Sequence, residues 1–386
     1  MRLFKDPDKL SPRYIPEFLP HREKEIQLAE NLFEGYRGYL RIIQFIGPAG
    51  SGKTSVAYHV GRRLERGIKG LKSIYLNLKL ESGTKFTLYS SLARKIDPNL
   101  PVRSLGAYEL LEYVLRYLKH KNLHLLIIAD EVDYYVKTSR HYDAVFDLTR
   151  LNEIYLGQPI NIAGIIFISR DPRWRELLDK ATRSSLGNVV VNFKPYSRDQ
   201  VYDIISYRAS EAFIKGTIMD DVLNYISDLT AEANGDIRFA LDLLFYSGML
   251  AENENAIRVT LEHVRHVLMQ IEPTITSEDI INLDEKEKII LLAISYCLKR
   301  FREPYVSIDD VWDEYKRIVV ELHTEKVDRR KFHKIVESIY YKGIIDLKGF
   351  NVGISKIPVE KLSRLSLIHI SEPTRPRLIS YAVFCL

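Results

Sequence analysis

The chain reads Gly47-Pro48-Ala49-Gly50-Ser51-Gly52-Lys53-Thr54 directly after an apolar run, 42–46, and directly before a helical pattern that continues to about Arg66. The apolar run predicts a buried strand, and the pattern Gly-x-x-x-x-Gly-Lys-Thr between a strand and a helix predicts a phosphate-binding loop. Glycines allow the backbone amides of such a loop to converge on phosphate oxygens, and the helix N-terminus adds partial positive charge. We therefore expect a nucleotide site here; a chance glycine-rich turn is the alternative.

Two side chains of this loop have distinct predicted roles. Lys53 is predicted to reach the β and γ phosphates of ATP or ADP, and Thr54 to offer its hydroxyl to Mg²⁺. The residues predicted to contact the phosphates are Pro48, Ala49, Gly50, Ser51, Gly52, Lys53, Thr54 and Ser55.

Two carboxylates follow a second apolar run, 125–129. Ligands of open α/β sheets bind at the carboxyl ends of the strands, so Asp130 is predicted to hold Mg²⁺ and Glu131 to polarise an attacking water. An acidic pair at a strand end is by itself usually solvated surface. The loop that precedes it by 76 residues, counted from Thr54 to Asp130, favours the functional interpretation.

Two arginines stand where side chains could sense the nucleotide. Arg170 follows the predicted strand 162–169, and Arg238 begins a helix in a later, all-helical region. Arg238 is predicted to reach the γ phosphate, although an exposed helix arginine is the alternative.

The order of elements predicts several domains. Apolar strands alternate with helices up to about residue 195, which predicts a parallel sheet covered on both faces. Only helices are predicted from Ser197 to about Gln270, and three helices followed by two short strands then predict a winged helix-turn-helix. The predicted segments are 1–196 (ATPase base), 197–272 (helical lid), 273–364 (winged-helix domain) and 365–386 (a non-native or disordered tail).

Composition and charge set broad limits. With 386 residues, 46% of them hydrophobic, the chain can form two or three cores, and a net charge of +5 is compatible with a nucleic-acid partner or with an ordinary basic protein. Cys297 and Cys385 are too few for a disulfide framework or a zinc cluster. No signal peptide or membrane span is predicted, so we expect a soluble, cytoplasmic protein that associates with the nucleoid.

The third predicted domain contains the stretch 326–336, in which apolar residues recur at helical spacing and basic residues stand elsewhere. Its position in a winged helix predicts a recognition helix in the DNA major groove, with the following turn as a wing at the minor groove; solvated surface is the alternative. The predicted DNA contacts of helix and wing are Arg329, Arg330, Lys331, Lys334, Lys348, Gly349 and Phe350.

These residues resemble the AAA+ ATPases, and more narrowly the archaeal origin-recognition and cell-division-control initiator family, over about residues 10–362. The resemblance implies an α/β P-loop AAA+ domain with a helical lid and a C-terminal winged helix. Its further marks are Leu10-Ser11-Pro12-Arg13-Tyr14-Ile15-Pro16, Leu19-Pro20-His21-Arg22-Glu23, Ser184-Ser185-Leu186-Gly187 and Gly235-Asp236-Ile237-Arg238.

The resemblance also implies site residues. In that family the lead segment holds the adenine, and a helical insertion, here 84–96, touches DNA; an amphipathic surface helix is the alternative for the insertion. The residues implied for the nucleotide are Tyr14, Ile15, Pro16, His21, Arg22, Tyr196 and Arg238, and those implied for DNA are Lys85 and Arg94.

Two positions depart from the family pattern. Arg170 stands where the first sensor is usually Asn, and an arginine cannot orient water as an amide does, so hydrolysis is expected to be slow. The arginine that acts on a neighbouring subunit's nucleotide is not clearly aligned, and Arg183 is the candidate.

The resulting expectation is an ATP-switched replication initiator with weak, Mg²⁺-dependent ATPase activity. Its expected partners are double-stranded origin DNA, a paralogous initiator and the replicative helicase. The alternatives are a signalling or transcription-regulating switch with the same winged-helix module, and a DNA-binding scaffold that holds nucleotide without turnover.

Overall fold

The structure is a computed structural model. It describes residues 2–34, 39–81, 84–100, 102, 105–138, 143–151, 160–271, 280, 283–354, 359 and 362. The predicted domain boundary at 272/273 and the predicted tail, 365–386, lie outside these residues. The chain forms two compact units: one comprises Ser11–Ile204 and Thr230–Phe239, and the other Met1–Leu10, Ile205–Leu229 and Ala240–Leu386.

The first unit is built on a parallel five-stranded sheet of order β2-β3-β4-β1-β5. Every residue of the central strand β4 is buried, as expected for a sheet covered on both faces. The strands are β1 Arg41–Ile46, β2 Leu71–Asn77, β3 His124–Asp130, β4 Ile162–Ser169 and β5 Val190–Asn192.

Helices cover both faces of this sheet. Alternate residues of β3 face opposite sides, so Leu125 and Ile127 pack in one hydrophobic core while Leu126 and Ile128 pack in the other. The helices are α1 Glu23–Glu34, α2 Lys53–Gly67, α3 Leu78–Glu81, α4 Lys85–Ile96, α5 Ala107–His120, α6 Val132–Thr138, α7 Asp143–Thr149 and α8 Lys180–Leu186, with a 3₁₀ helix at Pro172–Leu177. The predicted α/β P-loop fold is confirmed.

Four lid helices follow the sheet. They are α9 Arg198–Ala212, α10 Asp220–Glu232, α11 Ile237–Asn253 and α12 Leu261–Ile271, and the division between the units falls within α9, α10 and α11. The first residues of the chain, predicted as part of the ATPase base, contact the lid: the Phe4 ring stacks 4.4 Å from that of Phe213, just after α9. The amides of Leu3 and Phe4 donate to the Glu252 carboxylate.

The second unit ends in a winged helix. Its elements are α13 Glu285–Phe301, β6 Tyr305–Ser307, α14 Ile308–Glu321, α15 Arg329–Tyr341, β7 Asp346–Lys348 and β8 Asn351–Gly353. The strands form an antiparallel sheet of order β6-β8-β7. Strand β6 is absent from the sequence prediction because three residues are too few to show alternation.

Buried polar contacts join the lid helices to the winged helix within this unit. Arg265 is 2% exposed, and its guanidinium donates to the Ile354 carbonyl (2.7 Å) and to the Glu262 carboxylate (2.6 Å). Glu262 also accepts the amide of Val359 (3.0 Å), and the Tyr225 hydroxyl donates to the Ile354 carbonyl (3.3 Å). The lid and the winged helix therefore share one hydrogen-bonded network.

Cys297 is buried with a free thiol, and burial raises its pKa to about 12. Cys385 lies outside the described residues. Within those residues, no helix combines the length and the apolar character needed to cross a membrane.

Candidate functional site

At two positions of the loop between β1 and α2, both the backbone conformation and the surrounding space require glycine. Gly50 and Gly52 have φ of +66° and +87°, which L side chains rarely adopt. A Cβ atom on Gly50 would lie 1.7 Å from Oδ1 of Asp236, and one on Gly52 would lie 2.5 Å from the Tyr196 hydroxyl. Asp236 and Tyr196 therefore lie directly against the loop. No role is predicted for Asp236 from the sequence.

Lys53 is buried at the start of α2. Its ammonium donates to the carbonyls of Gly47 (2.8 Å) and Pro48 (2.6 Å). Burial lowers its pKa to about 8; the nearby charge of Asp130 opposes this shift, and the charges of Arg170 and Arg238 add to it. The loop thus holds a buried ammonium with a lowered pKa, and two guanidinium groups act on it.

Asp130, at the end of β3, lies beside the start of α2. Its Oδ2 accepts the Thr54 hydroxyl (2.8 Å) and the Tyr75 hydroxyl (3.0 Å), and its Oδ1 accepts the amide of Glu131 (2.8 Å). Burial raises the pKa of Asp130, whereas these three hydrogen bonds favour the carboxylate. Tyr75 is absent from the sequence prediction, since a tyrosine in β2 has no motif to mark it.

Glu131 and Arg170 form an ion pair at the same edge of the sheet. A guanidinium nitrogen of Arg170 lies 2.6 Å from Oε1 of Glu131, and Glu131 has φ of +60°. The backbone below this pair is fixed by buried Asp133, whose Oδ2 accepts the amides of Arg170 (3.0 Å) and Asp171 (3.1 Å). The pattern Asp-Glu-x-Asp at 130–133 was the signal that could have marked Asp133.

The lead segment is tied to the loop through Arg22. This buried guanidinium donates twice to the Ser51 carbonyl (3.0 and 2.9 Å) and lies 4.0 Å from the centre of the Tyr196 ring. His21 is paired with Asp203 at 2.7 Å. Pro16 is buried, whereas Tyr14 and Ile15 are half-buried.

The two remaining arginines differ in their engagement. Arg183 donates to the carbonyls of Arg175 and Glu176, each at 3.0 Å, so its guanidinium caps the 3₁₀ helix of its own chain. Arg238 is exposed, and its amide is held by Asp236 at 2.9 Å.

These residues fit a nucleotide with Mg²⁺. The hydrogen-bond acceptors of the Lys53 ammonium are oxygens of its own loop, so phosphate oxygens would replace neutral acceptors by charged ones. The Thr54 hydroxyl and the Asp130 carboxylate, already in contact, are the hard oxygen ligands that Mg²⁺ prefers.

A second candidate surface lies on α15 in the winged helix. The side chain of Asp328 caps this helix by accepting the amide of Lys331 (2.8 Å), and Phe332, Val336 and Ile339 bury its apolar face. The predicted DNA contacts Arg329, Arg330, Lys331 and Lys334 are all exposed. Of these, Arg329 is paired with Asp309 on α14.

The predicted wing is a tight hairpin. Gly349 and Phe350 connect β7 to β8, and Phe350 is 87% exposed while its carbonyl accepts the amide of Ile308 (3.0 Å). The ammonium of Lys348 lies 2.8 Å from Asp228 on α10, so this predicted DNA contact already has a protein counter-ion.

The helix α4 corresponds to the predicted insertion. Lys85 is directed into its own domain, where its ammonium lies 2.9 Å from the Asp147 carboxylate and 3.0 Å from the Tyr108 hydroxyl. Arg94 is exposed and lines a cavity of about 570 Å³ with Phe86 and Ser90. The structure thus engages one of the two predicted basic residues internally and exposes the other.

Three family models match successive parts of the chain. An AAA domain matches residues 37–171, a Cdc6 AAA+ ATPase-type lid domain matches 202–268, and a CDC6 C-terminal winged helix domain matches 278–356. The predicted resemblance is confirmed by these matches.

Full-length relatives and solved structures agree with them. The ORC1-type DNA replication protein of Desulfurococcus amylolyticus is 33% identical over 91% of this chain and 89% of its own length, and ORC1-type DNA replication protein 1 of Archaeoglobus fulgidus is 32% identical over 89% and 84%. The fold matches Cdc6p of Pyrobaculum aerophilum with a TM-score of 0.81 and 24% identity, covering 97% of this chain and 100% of that chain. The Aeropyrum pernix ORC1 protein in complex with DNA matches with a TM-score of 0.62 and 28% identity, covering 97% and 98%. The chain belongs to the family of ORC1-type DNA replication proteins.

Proposed function

We propose that this protein is an ATP-switched replication initiator that binds double-stranded origin DNA. The observation that carries the proposal is the presence, in one chain, of a phosphate-binding loop joined to Asp130 and of a capped helix with exposed basic side chains. The solved complex of the related Aeropyrum pernix ORC1 protein with DNA supports it. A paralogous initiator and the replicative helicase are the proposed protein partners.

The nucleotide site would act through its own residues. Lys53, Thr54 and Asp130 would bind the phosphates and Mg²⁺, and the ion would supply neutralisation of phosphate charge. Glu131 would accept the proton of the water that attacks the γ phosphorus, with ADP as the leaving group. Because Glu131 is paired with Arg170, we propose that hydrolysis is slow and serves as a switch.

DNA would be contacted by the winged helix and, separately, by the insertion helix. Arg330, Lys331 and Lys334 on α15 would contact phosphates and base edges, Phe350 would stand at the adjacent minor groove, and Arg94 would add a contact from α4. We retain the domain boundaries 196/197, 272/273 and 364/365 as part of the proposal.

Footprinting on the replication origins of the source cell tests this function. With ATP bound, protection of an origin element is expected, and Arg330→Ala should weaken that protection. Protection confined to a promoter would instead support a transcription-regulating switch.

The ion pair between Arg170 and Glu131 favours a second candidate function. A guanidinium that permanently occupies the Glu131 carboxylate would leave a DNA-binding scaffold that holds nucleotide without turnover. Single-turnover hydrolysis of bound ATP by the wild type and by Glu131→Gln distinguishes the two. Equal rates would remove the enzymatic role, whereas a slower rate in Glu131→Gln would support it.

A further inference from the structure

Four side chains meet where helix α2 packs on the strands β2 and β3. Thr54 and Tyr58 are four residues apart on α2, so they lie on the same face of the helix. Tyr75 on β2 is in register with Ile128 on β3, and Asp130 lies two residues further along β3. Because alternate residues of a strand share a face, the side chains of Tyr75 and Asp130 lie on the same side of the sheet.

The Tyr75 side chain contacts two of these neighbours directly. Its ring stacks on that of Tyr58, with ring centres 5.0 Å apart and an angle of 24° between the ring planes. Its hydroxyl donates to Oδ2 of Asp130 (3.0 Å), the oxygen that also accepts the Thr54 hydroxyl (2.8 Å). Burial raises the pKa of Tyr75, and the charge of Asp130 adds to this effect, so the hydroxyl remains a donor.

The backbone of Tyr75 is anchored as well. The ammonium of Lys95 on α4 donates to the Tyr75 carbonyl (2.7 Å) and to both carboxylate oxygens of Glu81 (2.8 and 2.6 Å). Glu81 also accepts the amide of Asn77 (3.1 Å), so two side chains hold the end of β2. The position of the Tyr75 hydroxyl is therefore set largely by contacts that do not involve Asp130.

We propose that Tyr75 is a positioning residue that orients the Asp130 carboxylate toward Mg²⁺ bound with a nucleotide. The terminal torsion of an aspartate is broad, and hydrogen bonds to both oxygens restrict it. Here Tyr75 donates to Oδ2, and the amide of Glu131 donates to Oδ1 (2.8 Å). Hydrogen-bond partners of this kind contribute about tenfold or more to the affinity of a metal site. The inference rests on the proposed nucleotide and Mg²⁺ site.

Binding of Mn²⁺ to the ADP complex tests this role without hydrolysis. Mn²⁺ takes the same oxygen ligands as Mg²⁺, and the EPR signal of free Mn²⁺ reports how much is unbound. The ADP affinity of the full chain is measured by calorimetry in EDTA, and Mn²⁺ is then titrated with protein in excess over ADP. Tyr75→Phe keeps the ring and removes the hydroxyl. It is expected to raise the dissociation constant of Mn²⁺ about tenfold and to leave metal-free ADP binding within about twofold.

Two further variants separate positioning from a general disturbance of the site. Tyr58→Phe removes the hydroxyl from the other ring of the same stack, and it should bind Mn²⁺ as the wild type does. In an Asp130→Ala background, Tyr75→Phe should have no further effect on Mn²⁺ affinity, because Tyr75 acts through Asp130. A tenfold loss that persists without Asp130, or an equal loss in Tyr58→Phe, overturns the inference. Weakened metal-free ADP binding in Tyr75→Phe would likewise indicate a structural role instead.

The proposed function and this inference fail in different ways. A wild-type chain that does not bind ADP, or whose ADP complex binds Mn²⁺ no more tightly than free ADP does, refutes the proposed site and the inference with it. A wild-type chain that binds both, with Mn²⁺ affinity unchanged or increased in Tyr75→Phe, refutes the role of Tyr75 alone. An increase would mean that the hydroxyl competes with the metal for Oδ2 of Asp130.

Discussion

At the scale of single residues, Lys53 controls the charge of the phosphate-binding loop. Burial and two neighbouring guanidinium groups hold its pKa at about 8, so in the nucleotide-free protein part of the population lacks the positive charge at mildly alkaline pH. Phosphate oxygens interact favourably with the ammonium form. Nucleotide binding must therefore raise the pKa of Lys53 and take up protons from solution.

ATP binding is accordingly expected to weaken as pH rises through 8. Below this pH Lys53 is charged and affinity is constant, whereas above it the dissociation constant should increase by at most about tenfold per pH unit. Calorimetry between pH 7 and pH 9, in buffers of different ionisation enthalpy, measures both affinity and proton uptake. Lys53→Arg keeps its charge over this range, so a similar pH profile in both proteins would contradict the assignment.

The sequence predicts some of the residues of this site but not others. Lys53, Thr54 and Asp130 are predicted site residues because a motif fixes the neighbours of each, and the structure brings Thr54 and Asp130 into contact. Tyr75 reaches Asp130 from the neighbouring strand β2, and Asp236 lies against Gly50 although the two residues are far apart in the sequence. Such contacts depend on the tertiary fold and have no local pattern.

At the scale of elements, α15 has a buried apolar face and a basic face that is exposed to solvent. The Phe332 ring packs against those of Trp312 and Tyr315, with ring-centre distances of 4.9 and 5.4 Å. These contacts hold the apolar face of the helix in place. Arg330, Lys331 and Lys334 are exposed on it. The helix can therefore lose one basic side chain without losing its packing.

Arg330→Ala is expected to weaken DNA binding without unfolding the domain. If the contact is to phosphate, the slope of log K against log salt should fall by about 0.9, and if it is bidentate to guanine the loss should be about 1–3 kcal/mol. Titration of an origin duplex at several KCl concentrations measures both. Arg317→Ala, on α14, is the control, and equal losses in the two variants would remove α15 from the interface.

Elements were predictable where their patterns are long. The strand predicted at 162–169 agrees with β4, because its apolar character extends over most of its length. Strand β6, by contrast, has three residues and is absent from the prediction. A three-residue strand is stabilised by its hydrogen bonds to neighbouring strands and is too short to show an alternating pattern in the sequence.

At the scale of the whole molecule, the winged helix is hydrogen-bonded to the lid. Arg265 on α12 is nearly inaccessible to solvent and binds a carbonyl that follows β8. The predicted boundary between these domains lies at 272/273. No sequence pattern indicates that an arginine of the lid donates a hydrogen bond to a carbonyl of the winged helix. Sequence patterns can predict the hydrophobic core of each domain, whereas this contact depends on how the lid and the winged helix pack within one unit.

Arg265→Met is expected to destabilise this unit by about 2 kcal/mol, below the about 3–5 kcal/mol for a fully buried pair, because Glu262 is partly exposed. The two tryptophans report the units separately, since Trp312 lies in the winged helix and Trp174 in the sheet unit. Urea unfolding followed by Trp312 fluorescence, in a Trp174→Phe background, should shift to lower urea. Arg258→Met, an exposed change in the same lid, should not shift it, and an unshifted transition in Arg265→Met would contradict the stabilising role.

The ion pair between Lys348 and Asp228 affects how many cations are released when DNA binds. A lysine that releases a condensed cation from DNA adds about one unit to the salt dependence of binding, but Lys348 already has a carboxylate at 2.8 Å. As long as that pair persists, the wing releases one cation fewer than its sequence suggests. Asp228→Asn should therefore steepen the slope of log K against log salt by about 0.9. An unchanged slope would mean that DNA already takes Lys348 from Asp228 in the wild-type complex.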